Sequence, residues 1–433
     1  MPPDNTMAVV TTFGGLFLKE HSKLEKIKQT SDHDKSAFKL SLYKNSNVYR
    51  IVLNNPVKTS KVYLERWNRI DLKLVTEMGL PMMINEQSIP ISCKLLQRNT
   101  KHGYIESENI LIECRPAVTD SWNTEDIVYE QSNAYTGCFE YRVIAKKTEF
   151  DRDFFIIIQT EDHRSPQHSL PLCLGPFQLQ DTPAIPDERL LWDDITHDVN
   201  THRVLPLGDC YYLILKEMWD NGTPGKLWDS ALVISHIITR LFKENKEFLS
   251  GLRIMDLSAG IGSLGLLISE LCQVYRIPNP PTVVLTDIPE ALPLIKHNLS
   301  LNDTQNIVRI KPLRWGQNRD IERVCKRRSF DYIFVSDVLY NTEDFCSLII
   351  TFRLLCNTDH PTVLYLGYKP RGLKPFEEEF FFTNCAIYFD IKRLSLDEFE
   401  QDLLGKQGQT RNPIDQLLGF TGVQLYKLVV KKD

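Results

Sequence analysis

The run Ile254-Met255-Asp256-Leu257-Ser258-Ala259-Gly260-Ile261-Gly262-Ser263-Leu264-Gly265 constrains the fold more than any other segment of the chain. It reads as a buried strand that ends on an acid, crosses a loop of small residues and enters a helix. A loop with so little side chain lets a ligand approach the backbone, and the helix N-terminus offers unpaired N–H groups. Gly260-x-Gly262-x-x-Gly265 also matches the dinucleotide fingerprint literally. A tight strand-to-helix turn with no ligand would use the same residue types, so the loop has meaning only with its neighbours.

Those neighbours alternate. Strand patterns fall at 208–216, 253–257, 282–287, 306–311, 331–336 and 362–368, followed by β-rich runs near 385–393 and 422–430. Helical patterns lie between most of them, at 227–245, 263–276, 289–300, 318–327 and 343–356. Alternation of this kind builds an α/β fold, a largely parallel sheet covered by helices on both faces. The last two strands are separated by only a short helical stretch near 396–405, which suits an antiparallel edge strand. Upstream the pattern is different. Phe38–Tyr43, Val48–Leu53, Ile110–Cys114 and Phe154–Ile158 are short β-rich runs broken by Asn, Gly and Pro. At 433 residues the chain exceeds one ordinary core. We therefore expect a mobile N-terminus over 1–35, a β-rich domain over 36–165, a proline-rich linker over 166–190 and an α/β domain over 191–433.

Composition narrows the function classes. Hydrophobic residues make up 42% and charged residues 25%, as in ordinary globular proteins. A net charge of −5 and a pI near 6.1 give no general case for binding nucleic acid or an anionic membrane. The basic cluster Lys326-Arg327-Arg328 reads as a solvated loop. Ten cysteines stand singly with no CxxC pair, which argues against a zinc or thioredoxin-like site and for reduced thiols in an intracellular protein. No run of about 18 apolar residues is present to span a bilayer.

Several residues near the carboxyl ends of the expected strands could carry chemistry. Asp256 ends the first strand of the alternating core, and Ser258, Ala259, Gly260 and Gly262 form the turn. Ligands of open α/β sheets bind at such positions. Asp287 ends the next strand, where a carboxylate can accept two hydrogen bonds from a ribose diol or cap the following helix. Asp337 and Tyr340 leave the fourth strand three residues apart, so one helical turn would point them the same way. Together they could hold an amine or a hydroxyl. Trp228 and Trp315 could each pack on an adenine or wall a cationic sulfonium, or simply fill core. Arg371, past the fifth strand, reads as solvated.

Five landmarks in order give this half a resemblance. They are Leu227-Trp228-Asp229-Ser230-Ala231, Asp256-Leu257-Ser258-Ala259-Gly260-Ile261-Gly262, Thr286-Asp287-Ile288-Pro289 with Asn298 and Asn302, Leu313-Arg314-Trp315-Gly316, and Ser336-Asp337-Val338-Leu339-Tyr340. Over about its last 240 residues the chain resembles the eukaryotic seven-strand protein-lysine methyltransferases with a DxxY motif. The resemblance implies a Rossmann-like seven-strand sheet preceded by a smaller β-rich domain. It implies S-adenosyl-L-methionine as methyl donor and a lysine side chain as acceptor. It places the methionine end of the donor on the glycine loop, the ribose on Asp287 and the adenine region on Trp315. Two positions depart from the family pattern: Ser258 stands where the loop's first glycine is usual, and Asp256 where glutamate is common. Serine can adopt φ > 0 only at greater cost than glycine.

The expected function is therefore an S-adenosylmethionine-dependent N-methyltransferase, with Asp337 and Tyr340 orienting the acceptor amine. Trp228, Asp256, Ser258, Gly260, Gly262, Asp287 and Trp315 would form the cofactor site. Two other readings stand beside it. One is a nicotinamide-dependent oxidoreductase, from the literal glycine fingerprint. The other is a non-catalytic interaction protein that kept the fold, motivated by Ser258 and the large extra domain. The expected partner is a lysine-containing protein, with no metal, no direct nucleic-acid contact and no membrane. We expect a cytoplasmic monomer with access to the nucleus.

Overall fold

The computed structural model describes residues 48–57, 59–80, 88–99, 103–117, 128–130, 136–145, 153–160, 168–180, 199–208, 210–302, 307–325, 329–356, 362–405 and 421–431. The N-terminal stretch 1–35, the expected strand Phe38–Tyr43 and the cluster Lys326–Arg328 lie outside these residues.

The C-terminal half is built on a seven-stranded sheet. Its strands run in the order Val308–Pro312, Thr282–Asp287, Arg253–Leu257, Tyr332–Ser336, Val363–Tyr368, Gln424–Val430 and Phe389–Leu394. The first five are parallel. Apolar side chains of Arg253–Leu257 and its neighbours face cores on both sides. One contains Ile254, Val283 and Leu285, and the other Met255, Leu257 and Val284. Burial on both faces is why these strands read as nearly continuous apolar runs. The chain order reverses beside Arg253–Leu257, and a crevice opens there at the carboxyl ends of three adjacent strands.

Two details differ from the sequence reading. The antiparallel strand is Gln424–Val430, and it lies inside the sheet, between Val363–Tyr368 and the edge strand Phe389–Leu394. The cause is the helix Pro375–Cys385, which carries the chain one strand position further out and leaves a gap that the last strand fills. That helix has no 3.6-residue signature, because Phe380, Phe381 and Phe382 are consecutive. Its start is nonetheless marked by Pro375 in the first turn, and the Lys374 N–H donates to the Glu377 carboxylate at 2.8 Å.

The β-rich half holds two sheets. A five-stranded sheet runs His168–Leu170, Val48–Leu53, Asn68–Val75, Thr136–Ala145 and Ile110–Pro116. In the other, six strands pair in a closed antiparallel circuit: Asn200–Pro206, Tyr211–Lys216, Tyr104–Glu106, Ser88–Arg98, Asp153–Thr160 and Leu172–Gln180, which returns to Asn200–Pro206. Closure removes exposed edges. The stretch read as a linker, 166–190, thus contains two strands. Its two described prolines sit where a sheet tolerates them: Pro171 lies between the strands, and Pro176 falls where the register shifts between Leu174 and Phe177. Tyr211–Lys216 likewise belongs to this circuit and not to the seven-stranded sheet.

One helix joins the halves. Asn298 and Asn302, one turn apart on Leu292–Asn302, face the backbone of Tyr211–Lys216. Asn298 accepts from the Lys216 N–H at 2.8 Å and donates to its carbonyl at 3.1 Å. Asn302 does the same with Ile214, at 3.1 and 2.6 Å. Beyond Tyr212 this side of the strand has no partner strand among the described residues, and the two buried amides act as its ladder.

Candidate active site

The crevice holds a cavity of about 290 Å³, lined among others by Trp228, Ser258, Gly260, Asp287, Trp315, Asp337 and Tyr340. Seven of the nine residues expected from the sequence therefore meet at one surface. Asp256 and Gly262 lie beneath it. Gly262 takes φ +83° at the N-cap of the helix Ser263–Val274. Asp256 is buried and accepts from the Gly265 N–H at 3.1 Å, so it anchors the loop from below and does not line the cavity. Burial pushes its carboxyl up to about 7; the Gly265 bond opposes the shift and the Asp287 charge adds to it. Gly265, the third glycine of the literal fingerprint, serves packing: a Cβ there would come within 2.1 Å of Leu285 Cδ2.

Ser258 adopts the left-handed conformation its position demands, with φ +61°. The hydroxyl offsets that cost, because the Trp315 indole N–H donates to Ser258 Oγ at 2.9 Å. A glycine could not make this bond. The serine thereby fixes the indole as one wall of the cavity. The Tyr340 ring, tilted 48° and 6.3 Å from Trp315, forms the next. Tyr340 is 54% exposed at the cavity mouth, and partial burial raises its phenol, with Asp344 and Asp287 adding to the rise.

Asp287 stands over the loop. It accepts from the Gly260 N–H at 2.8 Å through one oxygen and from the Ile288 N–H at 2.7 Å through the other. A carboxylate offers about four lone-pair sites, so each oxygen keeps capacity for another donor. Burial raises this carboxyl to about 6, against the two N–H bonds that lower it.

Asp337 differs. It also has a positive φ, +54°, which aspartate tolerates better than most residues. Its carboxylate accepts from the Ser230 N–H (2.8 Å), the Lys369 N–H (3.1 Å) and both terminal nitrogens of Arg371 (2.6 and 3.1 Å). The sequence expectation of a solvated Arg371 is thus replaced by a bidentate pair with Asp337. Burial alone would lower the Arg371 guanidinium pKa, but Asp337, with Asp229 and Glu77, outweighs it and the shift is upward. Asp337 and Tyr340 leave the same strand but do not converge on one point: the carboxylate turns back into the protein and the phenol stands at the mouth. Sequence reasoning missed Arg371 and Lys369 as partners of Asp337. The signal was their place at the exit of the adjacent strand.

The lining suits S-adenosylmethionine. A carboxylate with spare acceptors meets a ribose diol, Leu313 and Trp315 offer flat apolar surface for a purine, and the Ser258–Gly260 backbone is bare enough for close approach. Comparison with known proteins agrees. The profile of the lysine methyltransferase family matches residues 208–386. Over these residues the chain is similar to that family. The methyltransferase region is 24% identical over 205 residues to the protein-lysine N-methyltransferase EFM6 of Saccharomyces cerevisiae, spanning 44% of this chain and 80% of that protein. It is 29% identical over 151 residues to the EEF1A lysine methyltransferase 3 of Xenopus tropicalis, spanning 35% of this chain and 59% of that protein. It is 27% identical over 187 residues to the protein N-lysine methyltransferase METTL21A of Danio rerio, spanning 42% and 77%. The family match implies S-adenosylmethionine as the cofactor. Among the described residues, no helix is long and apolar enough to cross a membrane.

Proposed function

We propose that this chain transfers a methyl group from S-adenosylmethionine to the ε-amino nitrogen of a lysine in a protein substrate. The observation that carries the reading is the meeting, in one cavity, of the Ser258–Gly260 loop, the Asp287 carboxylate and the aromatic pair Trp315 and Tyr340. When bound, S-adenosylmethionine supplies an electrophilic methyl group on a sulfonium. The remaining work is positioning and exclusion of water. Ser258 to Gly260 would hold the methionine end through their backbone, Asp287 would accept from the ribose hydroxyls, and Leu313 with Trp315 would pack the adenine. Trp228, Trp315 and Tyr340 wall the space where a cationic centre and the incoming amine meet, and ring faces attract cations.

A lysine amine with its ordinary pKa near 10.4 must lose a proton before it attacks. Partial desolvation in the cavity, with the like charge of a neighbouring sulfonium, would disfavour its charged form and lower that pKa. Tyr340 Oη, at the mouth, is placed to orient the amine. Asp337 is fully bonded to protein donors, so we assign it the role of holding the strand exit and its tyrosine in place. All ten cysteines are free, which suits a reducing compartment such as the cytoplasm.

The test uses methyl-labelled S-adenosylmethionine with the full chain and a cell lysate as acceptor, followed by amino-acid analysis of the labelled material. Label in methyllysine of a protein is expected. Label confined to another residue or to a small molecule contradicts the proposal.

A further inference from the structure

Behind the cavity lies a cluster of six charged side chains drawn from both halves of the molecule. The β-rich half contributes Arg50, on the strand Val48–Leu53, and Glu77, just past Asn68–Val75. The methyltransferase half contributes Asp229 at the start of the helix Asp229–Glu244, Asp337, Lys369 and Arg371. Five of the six side chains are at most 3% exposed, and Arg371 is 16% exposed.

The links are continuous. Arg50 pairs with Asp229 at 2.5 Å and stands 3.6 Å from Glu77. Lys369 Nζ bridges Asp229 (2.5 Å) and Glu77 (2.9 Å). Arg371 Nε donates to Glu77 at 3.4 Å while its two terminal nitrogens hold Asp337. The same guanidinium lies 5.0 Å from the centre of the Trp228 ring, and both Trp228 and Asp337 line the cavity. Glu77 is thus one residue, Arg371, removed from the site wall.

The cluster carries three positive and three negative charges, and so is neutral as a unit. That balance has a use where the neighbouring cavity must receive cations. A buried charge left uncompensated acts on its surroundings strongly, because neither water nor salt screens it well. Without Glu77, three cations would face two anions directly behind the pocket. Arg371 would also lose the carboxylate that holds its Nε while the rest of the fork holds Asp337.

We propose that this cluster is the electrostatically neutral back wall of the cofactor and acceptor pocket, and that Glu77, from the β-rich half, is a positioning residue for methyl transfer. The inference rests on the methyltransferase reading above. It gives the β-rich half a part in the site: that half completes the wall behind Trp228 and Asp337.

The discriminating probes are S-adenosylmethionine and S-adenosylhomocysteine, which differ by one methyl group and the positive charge of the sulfonium. Calorimetry measures the Kd of each for the wild-type chain, Glu77→Gln and Glu77→Asp. Glu77→Gln is expected to raise the ratio of the S-adenosylmethionine Kd to the S-adenosylhomocysteine Kd about fivefold, because only the first ligand is cationic. Glu77→Asp keeps the charge and is expected to hold the ratio within about twofold of wild type. A merely structural role would weaken both ligands alike and leave the ratio unchanged, which overturns the proposal. If Glu77→Gln does not fold, Lys369→Met serves as the second variant. It leaves the cluster with a net negative charge, so the ratio is expected to fall; no change, or a rise, overturns the proposal. A wild-type chain that binds neither ligand overturns the methyltransferase reading itself, a result distinct from an unchanged ratio.

Discussion

Asp287 and Asp337 end the strands on either side of Arg253–Leu257, at the same edge of the sheet. Both line the cavity, and they are held very differently. Asp287 accepts from two backbone N–H groups of the loop and its own helix entry, and pairs with no cation among the described residues. Its carboxyl is pushed up to about 6 by burial, as expected of an acid that lacks partners for its full charge. Asp337 accepts from two backbone N–H groups and a bidentate arginine, which is itself tied to Glu77. One carboxylate is underused and open to a ligand's hydroxyls. The other is spent on the protein. In the proposed reading, the cofactor side of the site is built from backbone and spare acceptors, and the wall behind the pocket is an ionic lattice.

The strongest way to break this contrast is to delete the spent carboxylate. Asp337→Ala leaves Arg371 buried without its main partner and is expected to cost about 3–5 kcal/mol of stability, beyond any loss of methyl transfer. Thermal and urea unfolding measure it. A loss below about 1 kcal/mol would show that the lattice is not what holds Asp337. The matching deletion on the open side is milder for the fold. Asp287→Ala is expected to weaken S-adenosylhomocysteine by about 10–100-fold, the worth of charge-assisted bonds to a diol, as read by calorimetry.

The pH dependence sharpens the same difference. Asp256, near 7, and Asp287, near 6, both have folded pKa values raised above the ordinary carboxylate value. Their contribution to the stability of the ligand-free chain is full below about pH 4 and is lost as pH rises through 6 and 7. Cofactor binding has the opposite sign, since the ribose hydroxyls need the ionised Asp287. Affinity for S-adenosylhomocysteine should rise between pH 5 and 7, and Asp287→Asn should flatten that rise. The smallest effect belongs to Ser258→Gly, which relieves a positive φ and deletes the indole hydrogen bond. These terms are each about 1 kcal/mol and opposed, so the melting temperature should hardly move. A large shift in either direction would show that the serine has another role.

The parts of this architecture that were legible in the sequence are local. Asp256, the small-residue loop, Asp287 and the Trp315 and Tyr340 landmarks sit at ends of strongly apolar strands, where pattern and position coincide. Asn298 and Asn302 could be picked out as landmarks, but their function of pairing with Tyr211–Lys216 could not, because a strand pattern does not name its partner. For the same reason Tyr211–Lys216 read as the start of the α/β domain, although it closes the upstream circuit. Proline density in 166–190 resembled a linker because a bulge and a strand break use the same residue. The ionic lattice was invisible: Glu77 and Lys369 are 292 positions apart, and nothing near either announces a partner. Helix Pro375–Cys385 escaped because its apolar residues are clustered instead of spaced.

The contrast between the two carboxylates is tested most directly by calorimetry with S-adenosylhomocysteine on Asp287→Asn and Asp337→Asn, each first checked for folding. Asp287→Asn should bind at least about tenfold more weakly than wild type, and Asp337→Asn should stay within about threefold. Equal losses in the two variants, or a greater loss in Asp337→Asn, would contradict the assignment of one carboxylate to the cofactor and the other to the wall behind it.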